Sequence, residues 1–261
     1  MKEKILANLG HCPWGNTLHW FDTIDSTNTA AKQMAREGAP HGTVLVAGHQ
    51  SAGRGRLGRS FSSEAGMGVY LSVILRPDCK PEQLMHLTCA AGVAMCQAVE
   101  NCCGIRPGLK WINDLVANSR KLGGILTELS VNPATGMVDF AVVGIGINCA
   151  QGEDDFPAEI QQIATSLKLL TGKQIPVAQL AAHMIRSLHK MPWDAKVVMD
   201  IYRRNCITLG QPVQLHRADT VQEATALDVD DQGALLVQLP DGSRQWVQSG
   251  EAHVRGLYGY L

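Results

Sequence analysis

The sequence has no strong excess of either charge: 23 Lys and Arg against 24 Asp and Glu in 261 residues leave a formal net charge of −1. A protein that lives by neutralising nucleic-acid phosphates carries a basic surplus, so that class is set aside and any basic character must be local. Long apolar runs are missing as well. The N-terminal stretch MKEKILANLGHCPWG has charges at Lys2, Glu3 and Lys4 and no apolar segment of signal-peptide length, and no later run approaches the length of a membrane span. Cysteine patterning is a third absence. Eight cysteines, at 12, 79, 89, 96, 102, 103, 149 and 206, form no CxxC pair and no framework-like spacing. Core thiols in a reducing compartment are expected, with no zinc site and a cytoplasmic location. Cys89, Cys96 and Cys103 fall seven apart in a helical stretch and share one face, where cysteine acts as a small hydrophobe.

What is present is a globular composition, 45% hydrophobic and 18% charged, long enough for one large domain or an ordinary domain with a small one. Residues 17 to 24 read as a strand, and Asp25-Ser26-Thr27-Asn28 offers N-caps for a helix from about Thr29 to Arg36. Thr43 to His49 is a short apolar strand. From Val69 to Arg76 a period-two pattern predicts a strand with one fully apolar face, and Glu82 to Glu100 predicts a long buried helix. Strands follow at Gly108 to Ile112, Gly123 to Ser130 and Val138 to Cys149, the last two joined by the turn Asn132-Pro133-Ala134-Thr135-Gly136, so the sheet should be antiparallel or mixed. Two helices come next, around Leu180 to Met191 and Val197 to Tyr202. Beyond Leu209 the pattern changes to short strands with hairpin turns at Asp230 to Gly233 and Pro240 to Ser243. Three units are expected: an N-terminal arm at 1–16, a main domain at 17–207 and a small β-domain at 208–261.

Chemistry concentrates in Gly53-Arg54-Gly55-Arg56-Leu57-Gly58-Arg59, three glycines and three arginines in seven residues. Glycine permits sharp turns and close backbone approach, and arginine supplies permanent charge with forked donors for phosphate or carboxylate oxygens. Alone, such a run reads more readily as a solvated basic turn. Lys110-Trp111-Ile112-Asn113-Asp114 ends one strand and Arg120-Lys121-Leu122-Gly123-Gly124 begins the next. A lysine, a carboxylate and a Gly-Gly pair there suit a site where a nucleotide meets a second substrate, although Asp114 alone reads as a turn acid and Lys121 alone as an edge lysine. Gly144-Ile145-Gly146-Ile147-Asn148 is a further segment whose small residues make room for a ligand or another backbone.

Taken together in this order, Asp25-Ser26-Thr27-Asn28, Gln50, the Gly53 to Arg59 run, Lys110-Trp111-x-Asn113-Asp114, Lys121-Leu122-x-Gly124-Ile125-Leu126 and Gly144-x-Gly146-x-Asn148 resemble the biotin protein ligase family. The resemblance extends more weakly into the C-terminal β-domain. It implies an α+β fold: a mixed-sheet catalytic domain similar to class II aminoacyl-tRNA synthetases, followed by an SH3-like barrel. It implies a reaction in which biotin and ATP, with Mg2+, give biotinyl-5′-AMP, and the biotinyl group then passes to a lysine of a biotin carboxyl carrier domain. By that resemblance Lys121 holds the biotin carboxylate and the α-phosphate, Arg56 lies on the phosphate side, and Arg54 sits near the carboxylate. Ser26, Thr27, Asn28 and Gln50 line or bond the ureido ring, and Phe61, where the family has an aromatic residue, stacks on the ligand. Gly53, Gly55, Gly58, Gly124, Gly144, Gly146 and Asn148 shape the pocket. Lys110, Trp111 and Asn113 flank the adenylate, and Asp114 orients or deprotonates the incoming lysine.

No protein ligand set for a metal is implied. Ile112 departs from the family's usual proline. Too few residues precede Asp25 for the DNA-binding domain of the repressor members, so no DNA partner is expected, while a homodimer is compatible with the resemblance. Two alternatives stand beside this reading: a lipoate or octanoate ligase of the same fold, and a non-catalytic binding protein using the small β-domain, which mixes Arg217, Arg244 and Arg255 with Glu223, Asp228, Asp230, Asp231 and Asp241 and so has no basic stripe.

Overall fold

The structure, a computed structural model, describes residues 1–217, 220–249 and 253–256. The parts of the expected 208–261 unit at 218–219, 250–252 and 257–261 lie outside the described residues, as do the side chains of Arg217 and Arg255. A seven-stranded mixed sheet has the spatial order β1-β2-β3-β7-β6-β5-β4. Its strands are β1 (Leu18–Phe21), β2 (Thr43–Ala47), β3 (Gly68–Leu75), β4 (Gly108–Lys110), β5 (Asp114–Ala117), β6 (Arg120–Val131) and β7 (Val138–Asn148). Only β1 and β2 pair in parallel, across the right-sized crossover supplied by α2 (Thr27–Arg36); the remaining pairs are antiparallel.

Helices cover both faces. Residues Val69, Leu71, Val73 and Leu75 of β3 join the main core with α3 (Leu87–Cys103), α5 (Val177–His189) and α6 (Ala195–Asn205), while Leu45, Ile74, Phe140 and Val142 pack against Ala31 and Ala35 of α2 on the other face. All eight residues of β3 are therefore buried, where the alternation predicted one apolar face; α2 occupies the second. The N-terminal arm is a helix, α1 (Lys2–Leu9), anchored by Ile5 and Leu9, each burial stabilising by about 1.5 to 3 kcal/mol. A short α4 (Leu167–Thr171), capped by Ser166, went unpredicted. The stretch expected to end one strand and begin the next contains a whole strand, β5, tied to β6 by Asn118 and Ser119 at φ 48° and 59°. Five of the eight cysteines are buried, Cys89 and Cys96 among them, and all eight are unpaired.

The C-terminal unit is a five-stranded antiparallel sheet of order β11-β10-β9-β8-β12, from β8 (Pro212–Arg217), β9 (Thr220–Val229), β10 (Leu235–Gln238), β11 (Arg244–Val247) and β12 (His253–Gly256). It docks on the main domain through definite contacts. The Trp111 indole N–H donates to the Gly233 carbonyl at 2.9 Å, and Arg203 of α6 donates to the Val229 carbonyl at 2.5 Å and pairs with Asp231. Among the described residues no helix is long and apolar enough to cross a membrane.

Candidate active site

The α2 face of the sheet presents two adjacent rows of residues. Register places Tyr70, Gly146, Gly124 and Asp114 side by side across β3, β7, β6 and β5, and Ser72, Gly144 and Leu126 in the next row. Two glycines in neighbouring positions of β7 leave a trough in an otherwise filled surface. A Cβ at Gly144 would overlap the Asn28 amide, and one at Gly146 would overlap the Phe61 ring, so the space these glycines open is taken by two side chains that line the site. The N-terminus of α2, capped by Ser26, closes one side of the trough. The loop after β2 is stitched to the loop after β1 by Ser51 N–H to the Ile24 carbonyl and Ala52 N–H to the Asp25 carbonyl, both at 2.9 Å, which sets Gln50 against Thr27.

The glycine and arginine run forms a hairpin over this trough. The Gly55 N–H donates to the Arg59 carbonyl at 2.7 Å, the Phe61 N–H to the Gly53 carbonyl at 2.9 Å, and the tip turns through Leu57 and Gly58 at φ 55° and 74°. Gly58 is where a positive φ needs glycine; Gly53 instead packs against the Phe61 carbonyl and Ser63 hydroxyl. Hairpin and sheet enclose an open cleft of about 820 Å³, mouth included. Four cations line it, Arg54, Arg56, Arg59 and Lys121, against one carboxylate, Asp114. Lys121 Nζ lies 2.6 Å from Asp114 Oδ1. Arg56 donates to Asn113 Oδ1 at 3.2 Å and to the Ser249 carbonyl of the C-terminal unit at 2.6 Å. Burial lowers the affinity of Arg56 for its proton, opposed by the charge of Asp114 and reinforced by that of Arg59. Such a cluster concentrates positive charge where an anion would be bound with little water to screen it.

Around Gln50 the lining side chains are polar and uncharged. Gln50 Oε1 accepts from the Thr27 N–H at 2.8 Å, and Gln50 Nε2 donates to the Ser63 hydroxyl at 2.9 Å. Of the residues singled out in the sequence, Ser26, Thr27, Asn28, Gln50, Arg54, Gly55, Arg56, Phe61, Asn113, Asp114, Lys121, Gly124, Gly144 and Gly146 line the cleft together. Gly53, Gly58, Lys110, Trp111 and Asn148 do not. Trp111 is spent on the interdomain contact, and Asn148 is buried, donating to the Thr165 carbonyl at 3.0 Å. Sequence reasoning passed over Arg59 as a lining residue, and it missed Ser72 and Glu128 altogether. Glu128 binds Lys32 at 2.7 Å and Asn28 at 3.0 Å, with Arg54 at 3.9 Å. Burial works to raise its pKa, but the Lys32 and Asn28 hydrogen bonds and the two cations outweigh burial and hold it below the ordinary carboxylate range.

Residues 20–148 match the Biotin/lipoate A/B protein ligase family, and residues 208–255 match the Biotin protein ligase C terminal domain. The bifunctional ligase/repressor BirA of Bacillus spizizenii is 35% identical over 236 residues, covering 88% of this chain and 72% of that protein. The biotin--[acetyl-CoA-carboxylase] ligase of Mycobacterium tuberculosis is 34% identical over 244 residues, covering 88% and 86% respectively. The biotin protein ligase of Aquifex aeolicus, solved in complex with biotin and ATP, superimposes with a TM-score of 0.75 at 28% identity over 92% of this chain and 99% of that one.

Proposed function

This chain belongs to the biotin/lipoate A/B protein ligase family, and we infer that it is a biotin protein ligase, activating biotin with ATP to biotinyl-5′-AMP and transferring biotin to a lysine of a biotin carboxyl carrier protein. The observation that carries the reading is that one cleft is lined both by a cationic cluster, Arg54, Arg56, Arg59 and Lys121, and by uncharged polar groups at Thr27 and Gln50. A carboxylate attacking an α-phosphate brings two anions together, and Lys121 with Arg56 supplies fixed positive charge at that meeting point. The uncharged groups at Thr27 and Gln50 suit a polar uncharged ring. Phe61, beside Tyr70 at 6.4 Å between ring centroids and over Gly146, offers an apolar wall for the ring and chain between them. Asn113 holds Arg56, and Asp114, already bonded to Lys121, is the one lining carboxylate able to receive a proton from an acceptor lysine.

Magnesium fits here only as a companion of the nucleotide. Among the described residues no group of three acidic, histidine or cysteine side chains is placed to hold a metal, so phosphate oxygens and water would make most of its coordination, with Asp114 the available protein oxygen. Bound that way, the ion would offset charge on the leaving pyrophosphate. The eight unpaired cysteines fit a reducing, ATP-supplied compartment such as the cytoplasm. The test is ATP–pyrophosphate exchange by the purified chain. Exchange that requires biotin and is not supported by lipoate is the expected result, followed by a biotin-sized mass increase on a carrier domain; exchange with lipoate alone would replace the substrate and keep the fold.

A further inference from the structure

Lys121 points into the cleft against the alternation of its own strand. In β6, Gly124 and Leu126 belong to the rows on the cleft face, so a regular strand would send Lys121, three positions before Gly124, to the opposite face. Yet Lys121 lines the cleft, while Leu122 is fully buried in the main core. The register accounts for both. Asp114 and Leu115 of β5 lie opposite Gly124 and Gly123, but the next residue, Val116, lies opposite Lys121, which leaves Leu122 as an extra residue. This is a β-bulge, a device that re-aims a side chain and disrupts the local ladder. It falls where β6 outruns its other neighbour, because the pairing with β7 stops at Gly123 and Ile147.

A separate segment takes the place of β7 there. The Lys121 N–H donates to the Ile163 carbonyl at 2.7 Å and the Thr165 N–H donates to the Lys121 carbonyl at 2.9 Å, a parallel bridge centred on Ala164. Residues 163–165 therefore clasp both main-chain polar groups of the lysine beside the irregular point of the sheet. Buried polar groups tie the clasp down in turn. Asn148 Nδ2 donates to the Thr165 carbonyl at 3.0 Å, the Ser166 hydroxyl to the Gln151 carbonyl at 2.5 Å, and Gln151 Nε2 to Asn148 Oδ1 at 3.3 Å. All four residues are buried, Ser166 completely, and none of them lines the cleft.

We propose that Ser166 is a positioning residue for adenylation: through residues 163–165 it fixes the bulged main chain of Lys121, and with it the place where the ammonium meets carboxylate and α-phosphate. The proposal rests on the ligase reading above. Lysine carries its charge on a flexible four-carbon stem, so the charge is well placed only when both ends of the stem are held. Asp114 holds Nζ at 2.6 Å, and the clasp holds the backbone. With the clasp loosened, the bulge can relax toward regular register, which turns Lys121 away from the cleft; a misplacement of about 1 Å can slow a reaction by about 10²-fold. The walls that bind the substrates are untouched, since the Ser166 hydroxyl meets only the Gln151 carbonyl and the Leu169 N–H. The loss therefore belongs in kcat.

Steady-state biotin-dependent ATP–pyrophosphate exchange on the full chain tests this. Ser166→Ala is expected to lower kcat about tenfold while the KM values for biotin and ATP stay within about twofold, and Ser166→Thr, which keeps the hydroxyl, should restore kcat to within about twofold. Ser166 also caps α4 by accepting the Leu169 N–H at 3.2 Å, so an effect through that helix has to be separated. Gly172→Ala strains the other end of α4, at φ 68°, and should lower the unfolding temperature with kcat held within about twofold. In a Lys121→Gln background Ser166→Ala should cost nothing further, because it acts through the lysine. An unchanged kcat in Ser166→Ala, an equal loss in Gly172→Ala, or multiplying losses with Lys121→Gln would each overturn the proposal. Amide hydrogen exchange reads the clasp without activity: the Lys121 N–H should exchange about tenfold faster in Ser166→Ala than in wild type, and equal rates would also overturn it. Should Ser166→Ala fail to fold, Gln151→Ala, which removes the link to Asn148, decides on the same kcat split and amide rate. A wild-type chain without biotin-dependent exchange overturns the ligase reading instead, and the amide rates still decide whether the clasp holds Lys121.

Discussion

Lys121 and Asp114 sit 2.6 Å apart in the lining of the cleft, and the proposed reaction gives them different duties. Lys121 offsets charge as carboxylate and α-phosphate approach, an interaction that strengthens in the transition state, so Lys121→Gln should lower exchange on the order of 10²- to 10³-fold. Asp114 serves the later transfer to the acceptor lysine. Asp114→Asn should retain pyrophosphate exchange within about tenfold while single-turnover transfer of preformed adenylate slows by about 10²-fold or more. Equal losses of exchange in both variants would show that the two residues act as one unit in adenylation. Lys121 and Asp114 were both readable in the sequence because each belongs to a short local motif. Glu128 and Ser72 were not: Glu128 meets Asn28 across 100 positions and Ser72 meets it across 44. Nothing in an isolated Glu or Ser within an apolar strand announces such a partner.

The loop between β2 and β3 is the element on which retention of the intermediate depends. From this loop Arg56 reaches out to Asn113 Oδ1 and to the Ser249 carbonyl of the C-terminal unit. Arg56→Gly should leave the thermal unfolding temperature nearly unchanged, because the residue lies outside the core, yet release activated biotin that labels bystander lysines, detectable as biotin on an added inert protein. An element of the opposite kind surrounds Trp14, where His41 and His189 approach edge-on at 5.8 and 5.3 Å. Burial, then the neighbouring His189, holds His41 below its ordinary value of 6.5. Unfolded His41 therefore takes up a proton before folded His41 does, so its contribution to stability is whole above about pH 6.5 and is lost as pH falls through the folded value. Unfolding temperature should decline on acidification from pH 7 to 5, less steeply in His41→Gln, which keeps an acceptor for the Arg76 N–H. Elements with one strong period were legible, as α5 and β3 show. Strand β5 was missed because its four residues, Asp114–Ala117, lie between turn-forming Asn113 and Asn118 and offer too short a run to show alternation.

For the molecule as a whole, the decisive relation is between the C-terminal sheet and the cleft. Among the described residues the C-terminal unit reaches the cleft through the Ser249 carbonyl on Arg56, and its placement also depends on contacts lying well away from that point. Chief among them are the Trp111 indole on the Gly233 carbonyl, Gly233 lying against Cys89 and Ile112, and Arg203 on Asp231 and Val229. Burial works against the charge of Arg203, but the three aspartates around it more than compensate, and its guanidinium is held more firmly protonated than usual. A small C-terminal domain could be a passive cap or could position the phosphate-side arginine, and the two roles separate in one variant. Trp111→Phe deletes the indole donor, leaves a buried carbonyl unpaired at a cost of about 1 to 3 kcal/mol, and lies outside the cleft lining. If the sheet positions Arg56, the variant should raise the KM for ATP several-fold while the KM for biotin holds. A fall in unfolding temperature with both KM values unchanged would make the Trp111 contact structural alone, with no part in aiming Arg56.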